Sequence, residues 1–191
     1  DREYVYAAIN YLEMQEEIPP DIFFELKLLE VDFHFKFDEI SAAKEIVSQL
    51  DQIRVEVIDR LAKVRYQETD YSSARELAIR SLVSAHHQQN SEVEVSSLIT
   101  LARSEIESGE TSSPISTINK AITIARKNGL KQPLVRALYH KGVIHSQQGA
   151  YSDSLAIMRE VLSLSLDCDF RVEEIDSHML IARIYRIMGK Y

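Results

Sequence analysis

The sequence predicts an all-α protein built from antiparallel helix pairs that stack on one another. Its 191 residues include only 5 Gly and 4 Pro and are rich in Leu, Ile, Ala, Glu, Arg and Lys, which favours helices over sheets. Small residues also recur every 40 positions, at Ala62, Ala102, Gly142 and Ala182. Self-similarity with a period of about 20 to 50 residues is typical of stacked repeats.

Apolar residues at helical spacing, separated by turn residues, divide the chain into ten predicted helices. The first ends at Pro19 and Pro20, since proline lacks an amide hydrogen and clashes with the preceding turn. Turns are expected at residues 69–70 and at Asn90, Gly109, Gly129, Gly149 and Gly189. The predicted helices span residues 1–17, 21–37, 41–50, 52–68, 71–88, 92–108, 112–128, 133–148, 152–167 and 171–188.

The second predicted helix has an unusual pattern. Apolar residues leave hardly any polar face between Ile22 and Phe37, which is expected of a helix buried between neighbours. Residues 31–37 alternate apolar and polar, so a strand is the alternative for them. A lone strand among helices would have no partner, and we therefore predict helix.

Charge and hydropathy exclude several functions. A net charge of −8 and a pI near 5.3 argue against a general nucleic-acid binder. No apolar run approaches the roughly 18 to 20 residues that span a bilayer, so no membrane contact is expected. Cys168 is the only cysteine and forms no intrachain disulfide. We expect a cytoplasmic protein, or a periplasmic one if it is the sensor of a membrane-anchored regulator.

Motifs for catalysis are missing from the sequence. It contains no Gly-rich phosphate loop, no cysteine pair and no HExxH segment. His86 and His87 are adjacent and therefore point about 100 degrees apart on a helix, which makes a poor metal pair. We predict no cofactor, no metal, no catalytic residue and no enzymatic activity.

One segment carries a family resemblance. Gly142, His145, Gly149, Tyr151 and Ser154 resemble the tetratricopeptide repeat, in which small residues let helix A and helix B of a pair approach closely. The resemblance implies a right-handed α-solenoid. The period of 40 is longer than the usual 34 and resembles an extended version found in regulatory and scaffolding proteins. Further copies include Ala62, Tyr71, Ala74 and Ala78, then Ala102, Gly109, Ile118 and Ala121, then Ala182, Tyr185, Gly189 and Tyr191.

The resemblance also predicts how the chain is organised. We expect residues 1–191 to be one repeat domain, with degenerate first units over 1–51 and regular repeats over 52–191. The start at Asp1 and the end at Tyr191, in the middle of a repeat, suggest a fragment of a longer protein. The apolar face of the last helix, with Met179, Ile181, Ile184 and Ile187, is then expected to be exposed and to form a homodimer or dock on a missing segment.

In such repeats the A helices line a concave groove that binds a protein or peptide. Its cations would pair with acidic groups, and its aromatic and aliphatic residues would supply apolar contact. The alternative is an ordinary solvated face whose charges are balanced by nearby carboxylates. Asn is absent from the groove positions, so chaperone-tail binding is not expected. The predicted groove residues are Lys63, Tyr66, Ile99, Arg103, Ile106, Arg136, Tyr139, Arg183 and Arg186.

Two functional hypotheses follow from the resemblance. The first is a non-catalytic module that binds a protein or peptide and regulates or scaffolds a larger protein. The second is the ligand-sensing or peptide-sensing domain of a bacterial signalling regulator, with an output domain such as a diguanylate cyclase or a DNA-binding domain elsewhere. An enzyme is a distant third.

Overall fold

The computed structural model describes residues 20–36, 39–50, 54–109, 113–168 and 170–189. Within these ranges it contains nine α-helices and no strand. The helix predicted over 1–17 lies outside the described residues. The helices are α1 Pro20–Lys36, α2 Ile40–Gln49, α3 Val55–Gln67, α4 Tyr71–His87, α5 Ser91–Glu107, α6 Pro114–Lys127, α7 Lys131–Gln147, α8 Tyr151–Cys168 and α9 Arg171–Ile187.

Two kinds of helix alternate along the stack. Every helix packs on the next one in the chain, and each odd-numbered helix, called helix A, also packs on the following helix A. Among the described residues, no Cα of an even-numbered helix, called helix B, lies within 8 Å of another helix B. The A helices therefore line the inner side of the stack and the B helices its outer side. This confirms the predicted α-solenoid of antiparallel helix pairs.

Helix ends repeat along the stack. α3, α5, α7 and α9 end at Gln67, Glu107, Gln147 and Ile187, which are 40 residues apart. Two residues beyond each end the backbone turns left-handed, at Gly109, Gly149 and Gly189 and, without a glycine, at Thr69 with φ 62°. Between α4 and α5 the left-handed residue is Gln89, with φ 56°.

Side chains cap several helix starts. Asn90, predicted as a turn residue, is the N-cap of α5 and accepts a hydrogen bond from the Val93 amide at 3.2 Å. α7 begins at Lys131, two residues before the predicted start at Pro133. Pro133 fits there because amides of the first helical turn have no intrahelical acceptor.

The core lies between the two helix layers. α1, α2 and α3 bury one cluster, which includes Phe24, Leu28, Val31 and Val47. A larger cluster joins α5 to α9. Burying an aliphatic side chain contributes roughly 1.5–3 kcal/mol, so these clusters dominate the stability of the stack. Members of the larger cluster with at most 2% exposure include Val95, Ile118, Val135, Ile144, Met158, Val161 and Ile184.

α1 only partly follows its prediction. It is helical through Lys36, so the strand alternative is wrong over 31–36, whereas Phe37 lies outside the described residues. The helix is not buried on all sides, because Phe23 and Leu29 are 41% and 62% exposed.

The exposed face of α9 differs from the predicted one. Met179 and Ile187 are 66% and 54% exposed, but Ile184 is fully buried and Ile181 packs against the core, so the prediction is wrong for these two. Both face the neighbouring helices of the stack. The exposed apolar face is instead formed by Val172, Ile175 and Met179, which we call the α9 stripe.

The repeat spacing explains this exposure. Val55, Val95 and Val135 precede Ile175 in steps of 40 residues and are at most 1% exposed, whereas Ile175 is 59% exposed. In the earlier repeats this face of helix A packs under the following helix B. The α9 stripe is therefore the part of the repeat pattern that no described helix covers.

Candidate functional site

Three consecutive A helices enclose a small cavity on the inner side of the stack. It has a volume of about 180 Å³ and is bounded by α3, α5 and α7. We call it the groove pocket. Its lining mixes aromatic, aliphatic, cationic and polar side chains, namely Tyr66, Arg103, Ile106, Glu107, Tyr139, His140, Val143, Ile144 and Gln147.

A cation–π contact forms one wall of the groove pocket. Arg103 Cζ lies 4.0 Å from the centroid of the Tyr66 ring. The same ring packs against Tyr71 with a centroid distance of 5.4 Å, so it is held from two sides. Burial raises the pKa of the Tyr66 phenol, and the Arg103 guanidinium opposes that rise. The contact contributes roughly 0.5–2 kcal/mol and fixes the direction of the guanidinium.

Charged groups from α5 and α9 surround Tyr139 on α7. Burial raises the pKa of its phenol, the Asp176 carboxylate adds to the rise, and the Arg183 and Arg103 guanidinium groups oppose it. Burial, followed by the Glu173 carboxylate, also raises the pKa of Asp176. Two cations and one carboxylate from neighbouring helices therefore act on one phenol, so this part of the groove carries charges of both signs.

His140 stands between two cations. Burial lowers the pKa of its imidazole well below the ordinary value, and the positive charges of Arg103 and Arg136 lower it further. The ring is therefore neutral at pH 7 and presents one donor and one acceptor nitrogen. It contributes polarity to the groove pocket without adding another positive charge.

Lys63 has a structural partner. Its Nζ lies 2.7 Å from Oδ2 of Asp59, which is only 1% exposed. Ser96 Oγ donates to Asp59 Oδ2 at 3.0 Å, and Ser97 Oγ donates to Oδ1 at 3.3 Å. A buried carboxylate is tolerated when it is paired and hydrogen-bonded, so Lys63 is engaged in neutralising Asp59.

Apart from Lys63, the predicted groove residues separate into three groups. Tyr66, Arg103, Ile106 and Tyr139 line the groove pocket. Ile99 is 8% exposed and belongs to the core, so little of it can reach a ligand. The other cations are exposed on the A helices, at Arg136, Arg183 and Arg186.

The predicted groove residues do not include His140, which lines the groove pocket. The residue directly follows Tyr139, and adjacent residues on a helix point about 100 degrees apart. The helical period therefore gave no reason to place both in one pocket. A wide pocket between three helices reaches further around α7 than a single row of groove positions.

The described residues contain neither a metal-binding cluster nor a membrane-spanning helix. No group of three or more His, Cys, Asp or Glu side chains is placed to hold a metal ion. None of the described helices combines the length and the apolar character that crossing a membrane requires.

The fold defines a helical repeat protein of the tetratricopeptide-like class. The chain is similar to a Rap protein solved in complex with Competence and Sporulation Factor, with a TM-score of 0.81 and 15% identity over 96% of this chain. It is also similar to Aspartyl phosphate phosphatase F from Bacillus subtilis, with a TM-score of 0.68 and 17% identity over 95% of this chain. The chain covers 54% and 55% of these two structures, about half of their length.

Comparison by sequence found no family model and no curated protein that matches the chain. The similarity is thus one of fold.

Proposed function

We propose that the chain is a non-catalytic module that binds a peptide or protein segment with acidic groups along its inner groove. The observation that carries the proposal is the groove pocket, where Arg103 is held against Tyr66 beside Tyr139. A guanidinium with a fixed direction binds a carboxylate through two parallel hydrogen bonds. The neighbouring rings supply apolar contact area, which typically provides much of the affinity of a peptide site.

The surrounding charges support an acidic ligand. Arg136 and Arg183 are exposed on α7 and α9, and Arg183 acts on the same phenol as Arg103. Glu107 and Asp176 lie in the same region, so the ligand meets a surface with charges of both signs. A ligand with one or two carboxylates next to an apolar side chain matches this arrangement better than a uniformly acidic one.

The structural neighbours favour a second, related candidate. One was solved with Competence and Sporulation Factor bound, which supports ligand binding by this fold. Because the chain spans about half of both neighbours, we propose as the alternative that it is the ligand-sensing part of a bacterial signalling regulator whose output lies elsewhere. We propose a cytoplasmic location, with the periplasm as the alternative for a membrane-anchored regulator.

A charge-reversal experiment tests the groove. The probes are two fluorescein-labelled hexapeptide libraries of random sequence, one with Glu and one with Lys fixed at the third position, and binding is followed by fluorescence anisotropy. We expect the Glu library to bind more tightly. Arg103→Glu and Arg183→Glu should each weaken its binding about tenfold or more, because each replaces attraction by repulsion.

The matched control is Arg159→Glu, which makes the same charge change at an exposed residue of α8 on the outer side. Its affinity should equal that of the unaltered chain. Unchanged binding in the two groove variants, or an equal loss in the control, would refute the groove assignment.

The absence of catalysis needs its own test, because one neighbour is named an aspartyl phosphate phosphatase. Acetyl phosphate is an acyl phosphate like aspartyl phosphate and serves as the probe. We expect the chain to release inorganic phosphate no faster than buffer does. Faster release that scales with protein concentration would show an enzymatic activity.

The organisation of the chain forms the last part of the proposal. We propose that residues 1–191 are one domain of the extended repeat type with a period near 40 residues. We also propose that the α9 stripe pairs with the same stripe of a second copy. A two-fold interface brings the same patch together from both copies, and an apolar stripe on one helix suits such pairing.

A further inference from the structure

A second cavity lies on the outer side of the stack, away from the groove. α4 and α6 both pack on α5 but not on each other, and the cleft between them has a volume of about 680 Å³. Clefts of roughly 300–1,000 Å³ are the size that holds small organic ligands. We call it the outer cleft.

The base and one wall of the outer cleft are apolar. Leu98 of α5 lies at its base and is 3% exposed, while Leu82 and Val83 of α4 face Ile124 of α6. Val83 is 52% exposed. The polar lining groups lie around this surface and include His86, Glu94, Asn119, Lys120 and Thr123.

The next gap along the outer side shows what is different here. Between α6 and α8, Arg126 Nη2 donates a hydrogen bond to Glu160 Oε1 at 2.9 Å and ties the two B helices together. Counting back 40 residues places His86 at the position of Arg126 and Lys120 at the position of Glu160. The outer cleft therefore has two basic groups where its neighbour has an ion pair, and these two cannot bridge the gap.

The α4 wall of the outer cleft also differs from the equivalent wall of the gap between α6 and α8. Val83 stands where the next gap has Thr123, so the outer cleft is more apolar at this position of its α4 wall. The one carboxylate in the lining, Glu94, lies 3.2 Å from His86 Nδ1. This contact uses Nδ1 of the ring and not Nε2. Within the described part of the chain Lys120 forms no ion pair.

From this geometry we propose that the outer cleft binds an amphiphilic organic anion, with its apolar body on Leu98, Val83 and Ile124 and its anionic group between His86 and Lys120. The anionic group takes the place that the Glu160 carboxylate holds in the next gap. The apolar body covers the surface that Val83 leaves exposed. Charge and hydrophobic contact thus both select a small molecule such as a medium-chain or aromatic carboxylate.

Dodecanoate below its micelle concentration is the probe, and binding is followed through the methyl NMR signals of Val83, Leu98 and Ile124. We expect saturable shifts at these methyl groups. Lys120→Glu should weaken binding about tenfold or more, because it restores the charge pattern of the Arg126–Glu160 pair and repels the carboxylate. Val83→Thr, which copies the next gap, should weaken binding several-fold.

Two controls separate the proposal from non-specific binding. Lys131→Glu makes the same charge change at the exposed start of α7 and should leave the affinity unaltered. Dodecanol, which has the same chain and no charge, should bind about tenfold more weakly than dodecanoate. Equal binding of the alcohol, full affinity in Lys120→Glu, or shifts confined to Ile175 and Met179 of α9 would each overturn the proposal.

Discussion

Ser154 Oγ donates a hydrogen bond to the backbone carbonyl oxygen of Gly142 at 2.7 Å, and both residues are buried where α7 and α8 meet. A Cβ atom on Gly142 would overlap Cε of Met158. The close approach of α7 and α8 therefore depends on a glycine in α7 and on a serine hydroxyl in α8. This is the steric reason for the small residue that recurs at this place in each repeat.

Enlarging Gly142 tests that reason. Gly142→Val should destabilise the chain by about 1–3 kcal/mol, because overpacking a filled contact shifts the helices. Gly142→Ala should cost less, since the flexible end of Met158 can move. Urea denaturation measures both. Ala182→Val is the control, because Ala182 occupies the same place one repeat later and is exposed, and its effect should stay within about 0.5 kcal/mol. An equal loss in that control would contradict the steric explanation.

Removing the buried carboxylate of Asp59 should also destabilise the chain. Asp59→Ala leaves the Ser97 hydroxyl buried without that acceptor and leaves Lys63 without its partner. The expected loss is about 0.5–1.5 kcal/mol, because the ion pair and the hydrogen bonds to Asp59 are removed while Lys63 can turn to water and Ser97 Oγ can still donate to Ser81 Oγ at 2.8 Å. Chemical denaturation again provides the measurement. Asp153→Ala, at a side chain that is 71% exposed, should be nearly neutral. A neutral Asp59→Ala would show that the network contributes little.

His140 makes stability depend on pH. Its pKa is lowered in the folded state by burial and by Arg103 and Arg136, so the unfolded chain takes up the proton first as the pH falls. Its contribution is complete above the unfolded pKa of about 6.5 and is lost as the pH falls towards the folded value. Between pH 7 and 5 the unaltered chain should therefore lose more stability than His140→Gln. Parallel pH profiles for the two proteins would contradict this assignment.

The α9 stripe predicts self-association. If two copies pair through it, light scattering should give a mass that rises with concentration from 21.9 kDa towards twice that value. Ile175→Lys together with Met179→Lys should keep the chain monomeric, because two charges would be buried without partners. The control is Val83→Lys, which places the same charge at an exposed apolar residue of α4. A monomer at all concentrations for the unaltered chain would count against pairing.

The helical repeats could be predicted because their signals are local. Ala62, Ala102 and Gly142 mark close helix contacts, and Gly109 and Gly149 mark helix ends, so spacing alone located the pairs. Asn90 lies in its predicted turn and is also the N-cap of α5, because Asn serves both in turns and at helix starts. The outward face of α9 could not be obtained from periodicity alone. It depends on which neighbours pack against Ile181 and Ile184, and this is a tertiary property.

The groove was predicted as a surface but not as a pocket. Spacing placed Tyr66, Arg103 and Tyr139 on one predicted surface, and all three line the groove pocket. It could not show that Lys63 is engaged by Asp59 or that Ile99 is buried. Both depend on contacts between repeats. The sequence pattern also did not predict the place of His140 in the groove pocket or the outer cleft. Both depend on how three helices pack together.

The A helices contact one another, whereas gaps separate the B helices. The stack therefore has a stiff inner edge and a compliant outer edge. Close-packed helices resist compression, whereas open gaps can widen or narrow at little cost. A small change in the separation of two A helices therefore corresponds to a larger change in the separation of the B helices on the outer side. The Arg126–Glu160 pair spans one outer gap, but an exposed ion pair contributes too little to hold that gap at one width. We therefore expect a change in the curvature of the stack to open or close the gaps on the side away from the groove.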